Sequence, residues 1–256
     1  MIRLSVCIEM IFTEVPFLDR MAKVSEIGLP AFEFWNWSSK DISEIKRRKQ
    51  KYGLQTAAFG VDSRASIVDQ RATSSFLKAV EDSAKIAHEL ESQTLIVTTG
   101  NELKEVPRSQ QHNSIVKCLK GAAATVEKEK VTLVLEPLNT LVDHKGYYLS
   151  SSSEGFDIIR KVGSPNVKLL YDIYHQQIME GNLISTITKN IDLIGHFHIG
   201  DVPGRHEPGT GEINYANVVK AIDDAGYDGY FGLEFMPLKD SKQALKPIID
   251  IAKSIE

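Results

Sequence analysis

The segment Leu193-Ile-Gly-His196-Phe-His198-Ile-Gly-Asp201-Val-Pro-Gly-Arg205-His-Glu-Pro-Gly-Thr-Gly-Glu-Ile-Asn214-Tyr215 decides how the chain is read. Leu193, Ile194 and Phe197 favour a strand. Side chains alternate along a strand, so His196 and His198 share one face. The strand runs into a loop punctuated by glycine and proline that carries Asp201, Arg205, His206 and Glu207, and Asn214 is placed to N-cap a following helix. The unit is an apolar strand with a polar, ligand-capable tip, then a loop, then a helix. Polar groups at the end of an apolar strand cost free energy unless something uses them, and several other strands of this chain end in the same way.

Working outward, strand and helix signals alternate from end to end. Residues 2–7, 31–35, 54–59, 94–98, 131–136, 167–171, 194–198 and 230–235 read as strands. Residues 17–27, 41–52, 70–90, 108–130, 153–162, 176–190, 215–225 and 241–254 read as helices. Gly28, Gly53 and Gly226 stop three of them, and Pro107 is placed to start one. Eight strand-then-helix units with short links predict an α/β fold, a (β/α)₈ TIM barrel forming a single domain over residues 1–256. A doubly wound open sheet would carry a Gly-rich phosphate turn after an early strand. Here Ile8-Glu-Met-Ile-Phe12 follows the first strand, without glycine.

Composition bounds the partners. The 42% apolar content supports a large core, and the net charge of −4 argues against a nucleic-acid partner, which favours a basic face. No window reaches the roughly 20 apolar residues of a membrane span. Met1-Ile-Arg-Leu-Ser-Val-Cys7 lacks the apolar run of a signal peptide. Two cysteines, Cys7 and Cys118, make no disulfide framework, which points to a reducing compartment. The expectation is a soluble, cytoplasmic protein acting on a small molecule, with no nucleic-acid or membrane partner; a homo-oligomer stays open.

Catalytic residues of such barrels sit at the C-terminal ends of strands. The late strands end in Leu135-Glu136-Pro137, Tyr171-Asp172-Ile173, Phe197-His198-Ile199 and Leu233-Glu234-Phe235. Barrel closure gathers these tips. Three carboxylates and one imidazole suit one divalent cation such as Mg²⁺, Mn²⁺ or Co²⁺, with positions left for substrate oxygens, whereas a structural zinc site would use thiolates. His175 lies one helical turn beyond Asp172 and reads as a substrate contact. Arg205 reads either as a clamp for a carboxylate or hydroxyl pair or as a surface arginine. His196 reads as a core histidine supporting its neighbour, Asp201 and His206 as loop structure, and His88 and His112 as solvated helix residues. Glu33 stays open between the site and the sheet exterior. Phe34-Trp35-Asn36-Trp37 either walls off a ligand or packs.

Glu136-Pro-Leu-Asn, Tyr171-Asp-Ile-Tyr-His-Gln, Arg205-His-Glu-Pro-Gly-Thr-Gly-Glu-Ile-Asn-Tyr and Gly229-Tyr-Phe-Gly-Leu-Glu-Phe resemble the hydroxypyruvate isomerase family of xylose-isomerase-like barrels, related to the ketose 3-epimerases. The resemblance spans nearly the whole chain. It implies that Glu136, Asp172, His198 and Glu234 hold one divalent metal, that Glu136 and Glu234 are the two acid/base groups, and that His175 and Arg205 contact substrate oxygens. The chain departs from the family pattern in two places. A Pro-Ala-Gly-Asp-Trp segment common after the third strand is replaced by Phe59-Gly-Val-Asp-Ser-Arg-Ala-Ser66. The seventh-strand metal position, glutamine in some of those enzymes, is His198, as in the sugar epimerases.

The implied reaction interconverts an aldehyde and a ketone form of a small hydroxy-carbonyl substrate through an enediolate, with hydroxypyruvate and tartronate semialdehyde or a related short keto acid as substrate. A ketose 3-epimerase or other sugar isomerase is the alternative. A non-catalytic sugar- or metal-binding barrel is a further reading. A DNA repair endonuclease would need histidines at early strand ends, and neither 55–59 nor 95–98 supplies one.

Overall fold

The computed structural model describes residues 2–62 and 65–255. Eight parallel strands close into a barrel in chain order. They are β1 (Arg3–Cys7), β2 (Ala31–Asn36), β3 (Gln55–Gly60), β4 (Thr94–Val97), β5 (Thr132–Leu135), β6 (Val167–Asp172), β7 (Ile194–Ile199) and β8 (Tyr230–Leu233), with β8 pairing back onto β1. The surrounding helices are α1 (Arg20–Glu26), α2 (Ile42–Tyr52), α3 (Thr73–Leu90), α4 (Arg108–Glu129), α5 (Ser152–Val162), α6 (Ile173–Met179), α7 (Leu183–Lys189), α8 (Tyr215–Asp224) and α9 (Ser241–Ile255). The barrel expected from sequence is the one formed. Ser63 and Arg64, within the departure after the third strand, lie outside the described residues.

The helices form where caps and apolar spacing agree. The Asp41 carboxylate accepts from the Glu44 amide to open α2, and Gly53 closes it at φ +65°. The predicted helix over 176–190 is instead two. Helix α6 starts earlier, because the Asp172 side chain caps it by accepting from the amides of Tyr174 and His175. It ends at Met179, and Gly181 (φ +62°) and Asn182 (φ +49°) follow with a left-handed backbone that no α-helix continues. Apolar residues at helical spacing on both sides, Ile178, Leu183 and Ile187, hid the break.

Strand alternation divides the core. Outward side chains form an aromatic layer: Phe197 stacks on Phe231 of β8 at 5.4 Å between ring centroids and meets Tyr227, in the loop before β8, edge-on at 4.8 Å. The inward positions of the same strands carry His196 and His198 on β7 and Gly232 on β8. Cys7 and Cys118 are both buried free thiols. None of the described helices is long and apolar enough to cross a membrane. The outer aromatic layer anchors the two strands beneath the loop-bearing face. Phe197→Ala should therefore cost about 3–5 kcal/mol, read by denaturant titration; a loss under about 1 kcal/mol would show that the layer repacks.

Candidate active site

Glu136, Asp172, His198 and Glu234 converge at the C-terminal mouth of the barrel. Each offers a ligand atom within 4.8 Å of the others, and all four are buried. His198 Nδ1 lies 3.2 Å from Glu234 Oε2, 3.4 Å from Glu136 Oε1 and 4.0 Å from Asp172 Oδ2. None of these contacts has hydrogen-bond alignment, so the nitrogen has no aligned partner in the protein.

Local structure orients each group. Asp172 uses Oδ1 to cap α6 at 2.8 Å from the Tyr174 amide, which turns Oδ2 toward the cluster. Glu234 is held from three sides. The Trp35 indole donates to Oε1 at 2.8 Å, Arg205 Nη2 pairs with Oε2, and Arg205 Nε donates to its carbonyl at 3.3 Å. Trp35 is 46% exposed, so it stands at the mouth with its indole N–H turned to Glu234. Phe34 stacks on Phe59, and the Trp37 indole donates to Ser83 on α3. Of the aromatic cluster, Trp35 is the member bonded to the site.

Electrostatics follow from the crowding. Burial alone would lower the His198 pKa, but Glu234 and Glu33 overcome it and raise it well above the ordinary imidazole value. Burial pushes Glu234 up, and His198 and Arg205 more than reverse this, leaving it well below the usual carboxylate range. For Asp172 burial prevails over Arg205 and His198, and its pKa is raised. Three anionic oxygens and one imidazole nitrogen make a hard, borderline donor set that fits a divalent cation.

His175 is fully buried. Asn139 Nδ2 donates to its Nδ1 at 2.7 Å, and Asn139 is itself fixed because its Oδ1 accepts from the Val142 and Asp143 amides. With Nδ1 accepting, the ring proton is assigned to Nε2, which has no aligned partner and lies 3.4 Å from Asp172 Oδ2. Burial, reinforced by Arg205, lowers the His175 pKa to about 3, so the ring is a neutral donor. The Arg205 guanidinium lies 3.3 Å from Asp172 and 5.3 Å above the Tyr174 ring. It is largely buried against Asp172 and Glu234 and does not lie free on the surface.

The loop after β7 aims Arg205. Asp201 is buried, and its carboxylate accepts from the amides of Val202, Gly209, Gly211 and Ile213. Gly211 passes so close to Val202 that a Cβ would lie 2.0 Å from the Val202 carbonyl oxygen. Arg205 itself has φ +56°, and its amide donates to the Asp201 carbonyl. The glycines of the Glu-Pro-Gly-Thr-Gly-Glu run thus serve the loop's shape.

Glu33 is open from sequence alone, and neither Asn139 nor Tyr147 carries a sequence signal for a role. Glu33 points into the barrel, where it meets His196 and His198. Tyr147 accepts from the Thr99 amide and donates to the Glu136 carbonyl, tying the ends of β4 and β5. His88 is exposed as expected, but His112 is largely covered between Glu154 and Asp157 of α5. That cover comes from a neighbouring helix, which periodicity within α4 does not report.

The xylose isomerase-like TIM barrel model matches residues 21–251. Hydroxypyruvate isomerase of Escherichia coli is 32% identical over 253 residues, covering 96% of this chain and 98% of that protein. The chain belongs to the hydroxypyruvate isomerase family of xylose isomerase-like barrels. It is an enzyme of the isomerase class. The 2-oxo-tetronate isomerase of Cupriavidus necator is 30% identical, covering 92% of this chain and 93% of that protein. Among solved structures, one titled AP endonuclease, family 2, from Brucella melitensis has a TM-score of 0.92 at 28% identity, covering 98% and 99% of the two chains. An L-ribulose 3-epimerase at 22% identity shares the fold, with a TM-score of 0.83 over 100% and 96%.

The Asp201 carboxylate organises the loop through four amides, so Asp201→Ala should free them. Hydrogen exchange at Gly209, Gly211 and Ile213 is expected to accelerate at least tenfold while the strands stay protected; unchanged exchange would assign the loop's order to other contacts.

Proposed function

We propose that this chain is a divalent-cation-dependent isomerase of a small hydroxy-carbonyl acid, interconverting hydroxypyruvate with tartronate semialdehyde or acting on a related short keto acid. The observation that carries the reading is the buried convergence of Glu136, Asp172, His198 and Glu234 within 4.8 Å. The E. coli and C. necator relatives, named for hydroxypyruvate and 2-oxo-tetronate, support the substrate class.

These four residues would hold the cation. When bound it supplies Lewis acidity, which polarises a carbonyl with its neighbouring hydroxyl and acidifies the C–H between them. The remaining steps belong to the chain. Glu136 and Glu234 end β5 and β8, three strands apart in the ring, and so reach the substrate from different sides. The depression of the Glu234 pKa by His198 and Arg205 keeps its carboxylate ionised. One glutamate takes the carbon-bound proton, and the electron pair left behind moves into the bond toward the carbonyl carbon. The carbonyl π pair passes to its oxygen; return of a proton to that neighbouring carbon, with the hydroxyl proton of the first carbon passed to the former carbonyl oxygen, isomerises the substrate. Return to the original carbon from the opposite face epimerises it. His175 Nε2–H and Arg205 donate to the oxygens that gain charge, and the Arg205 guanidinium matches a substrate carboxylate.

Epimerisation of a free ketose is the second reading, favoured by His198 at the position where the sugar epimerases carry histidine. An endonuclease reading lacks ligands: among the described residues the metal-capable groups are two, and both contain His198.

Chelation should abolish activity, and Mn²⁺, Mg²⁺ or Co²⁺ should restore it when the protein is screened against hydroxypyruvate, tetronate-type keto acids and free ketoses. Full turnover by verified metal-free protein would sink the cation requirement; turnover of ketoses alone would favour the second reading. Asp172→Ala and His198→Ala should weaken metal binding in calorimetric titration with the fold kept. Glu136→Gln and Glu234→Gln should each lose ~10²–10⁴-fold in turnover, with metal content verified. The direct readout is exchange of the substrate's carbon-bound hydrogen with deuterated water. A metal-loaded Gln variant that still exchanges at the wild-type rate would remove that glutamate from the proton-transfer step.

A further inference from the structure

Beneath the four converging residues lies a second polar group deeper in the barrel. Glu33 on β2 is 2% exposed and receives the Ser5 hydroxyl of β1 at 2.7 Å on Oε2. The same oxygen lies 3.0 Å from His196 Nε2 of β7. Its other oxygen, Oε1, lies 3.1 Å from His198 Nε2. Neither Oε1 nor His198 Nε2 has an aligned hydrogen-bond partner, and the two face each other across that 3.1 Å. Strand β2 does not neighbour β7 in the sheet, so these contacts cross the barrel interior. Room for them comes from β8: a Cβ on Gly232 would lie 2.2 Å from Glu33 Oε1.

A carboxylate in a barrel interior, where apolar side chains normally pack, is costly unless its partners require it. Here one carboxylate addresses one nitrogen of a ring whose other nitrogen faces Glu136, Asp172 and Glu234. A neutral imidazole held at Nε2 by an acceptor, as His198 becomes when a cation displaces its Nδ1 proton, presents the Nδ1 lone pair to whatever sits on that side. We propose that Glu33 is a positioning residue that fixes the His198 ring and tautomer from below, so that Nδ1 is offered to the cation site, with Gly232 conserving the space it needs. The proposal rests on the cation reading above for its consequence and on the Glu33–His198 contact for its geometry.

Two measurements separate these. In ¹⁵N-histidine spectra of the metal-free and Mg²⁺-loaded protein, a slowly exchanging His198 Nε2–H signal should be present in the wild type. It should be lost in Glu33→Ala and retained, shifted, in Glu33→Gln, whose amide keeps an acceptor oxygen. In calorimetric titration of Mn²⁺ into metal-free protein, Glu33→Ala should bind about 10–100-fold more weakly, and Glu33→Gln should recover most of that loss. Turnover by Glu33→Ala should rise toward the wild-type kcat as Mn²⁺ is raised to saturation. Gly232→Ala, which displaces the carboxylate without removing it, should weaken Mn²⁺ binding in the same direction and serves if Glu33→Ala does not fold. A Glu33→Ala protein that keeps both the N–H signal and wild-type Mn²⁺ affinity overturns the proposal. So does a stoichiometry of two Mn²⁺ falling to one on removal of Glu33, which would make it a ligand of a second ion. Loss of the N–H signal in a protein whose wild type binds no Mn²⁺ would uphold the positioning contact and sink the cation reading instead.

Discussion

Three carboxylates held around one imidazole at the mouth of a closed barrel set the terms for the rest of this molecule. Two unit charges about 4 Å apart near a protein surface repel by about 4 kcal/mol, so no open arrangement would keep Glu136, Asp172 and Glu234 together. Barrel closure supplies the constraint, because the strand tips are fixed by ladders that run the whole way round. The neighbours then absorb the charge. Arg205 pairs with Asp172 and Glu234, the Trp35 indole holds one oxygen of Glu234, and the first amides of α6 hold one oxygen of Asp172. For Asp172 and Glu234 the result is a division of labour within a single carboxylate, one oxygen anchored and the other turned inward.

The two donors beside the cluster are of different kinds, and the fold decides which is which. His175 is kept neutral by burial and by the nearby Arg205 charge, and Asn139 donating to Nδ1 leaves the ring proton on Nε2, so it can give a hydrogen bond without adding charge. Arg205 keeps its charge because the adjacent carboxylates of Glu234 and Asp172 outweigh its burial and raise its pKa. Its aim depends on a loop that Asp201 ties together through four amides and that tolerates only glycine at 211. A neutral donor and a cationic one at the same mouth suit a substrate carrying both hydroxyl or carbonyl oxygens and a carboxylate.

Much of this was legible in the sequence, and the reasons are specific. The barrel could be read because each apolar run is bounded by a cap or breaker, as at Asp41 and Gly53 around α2. The four converging residues could be read because each is a lone ligand-capable group at the tip of an apolar strand. Glu33 could not be placed, since Phe32 and Phe34 beside it are as apolar as core residues and its partner His196 is 163 positions away. The division of 176–190 was hidden because Asn182 adopts a left-handed backbone that a non-glycine residue seldom announces. Asn139 acts through a loop hydrogen bond to a histidine on another element, and no period or spacing encodes that.

The layered arrangement explains why the seventh strand carries two histidines where a barrel interior would normally place branched aliphatics. His198 has both ring nitrogens faced by carboxylates from opposite directions, Glu33 below and the mouth cluster above. His196 holds the far oxygen of Glu33, and Ser5 shares that oxygen. Removing any member would leave a buried polar group without its counterpart, at a cost comparable to a lost hydrogen bond or more. The polar stack is therefore coupled: the His198 ring at the mouth is contacted from below by residues that never reach the mouth. That coupling also limits what can replace Gly232, because any side chain there competes with the Glu33 carboxylate for the same few ångströms.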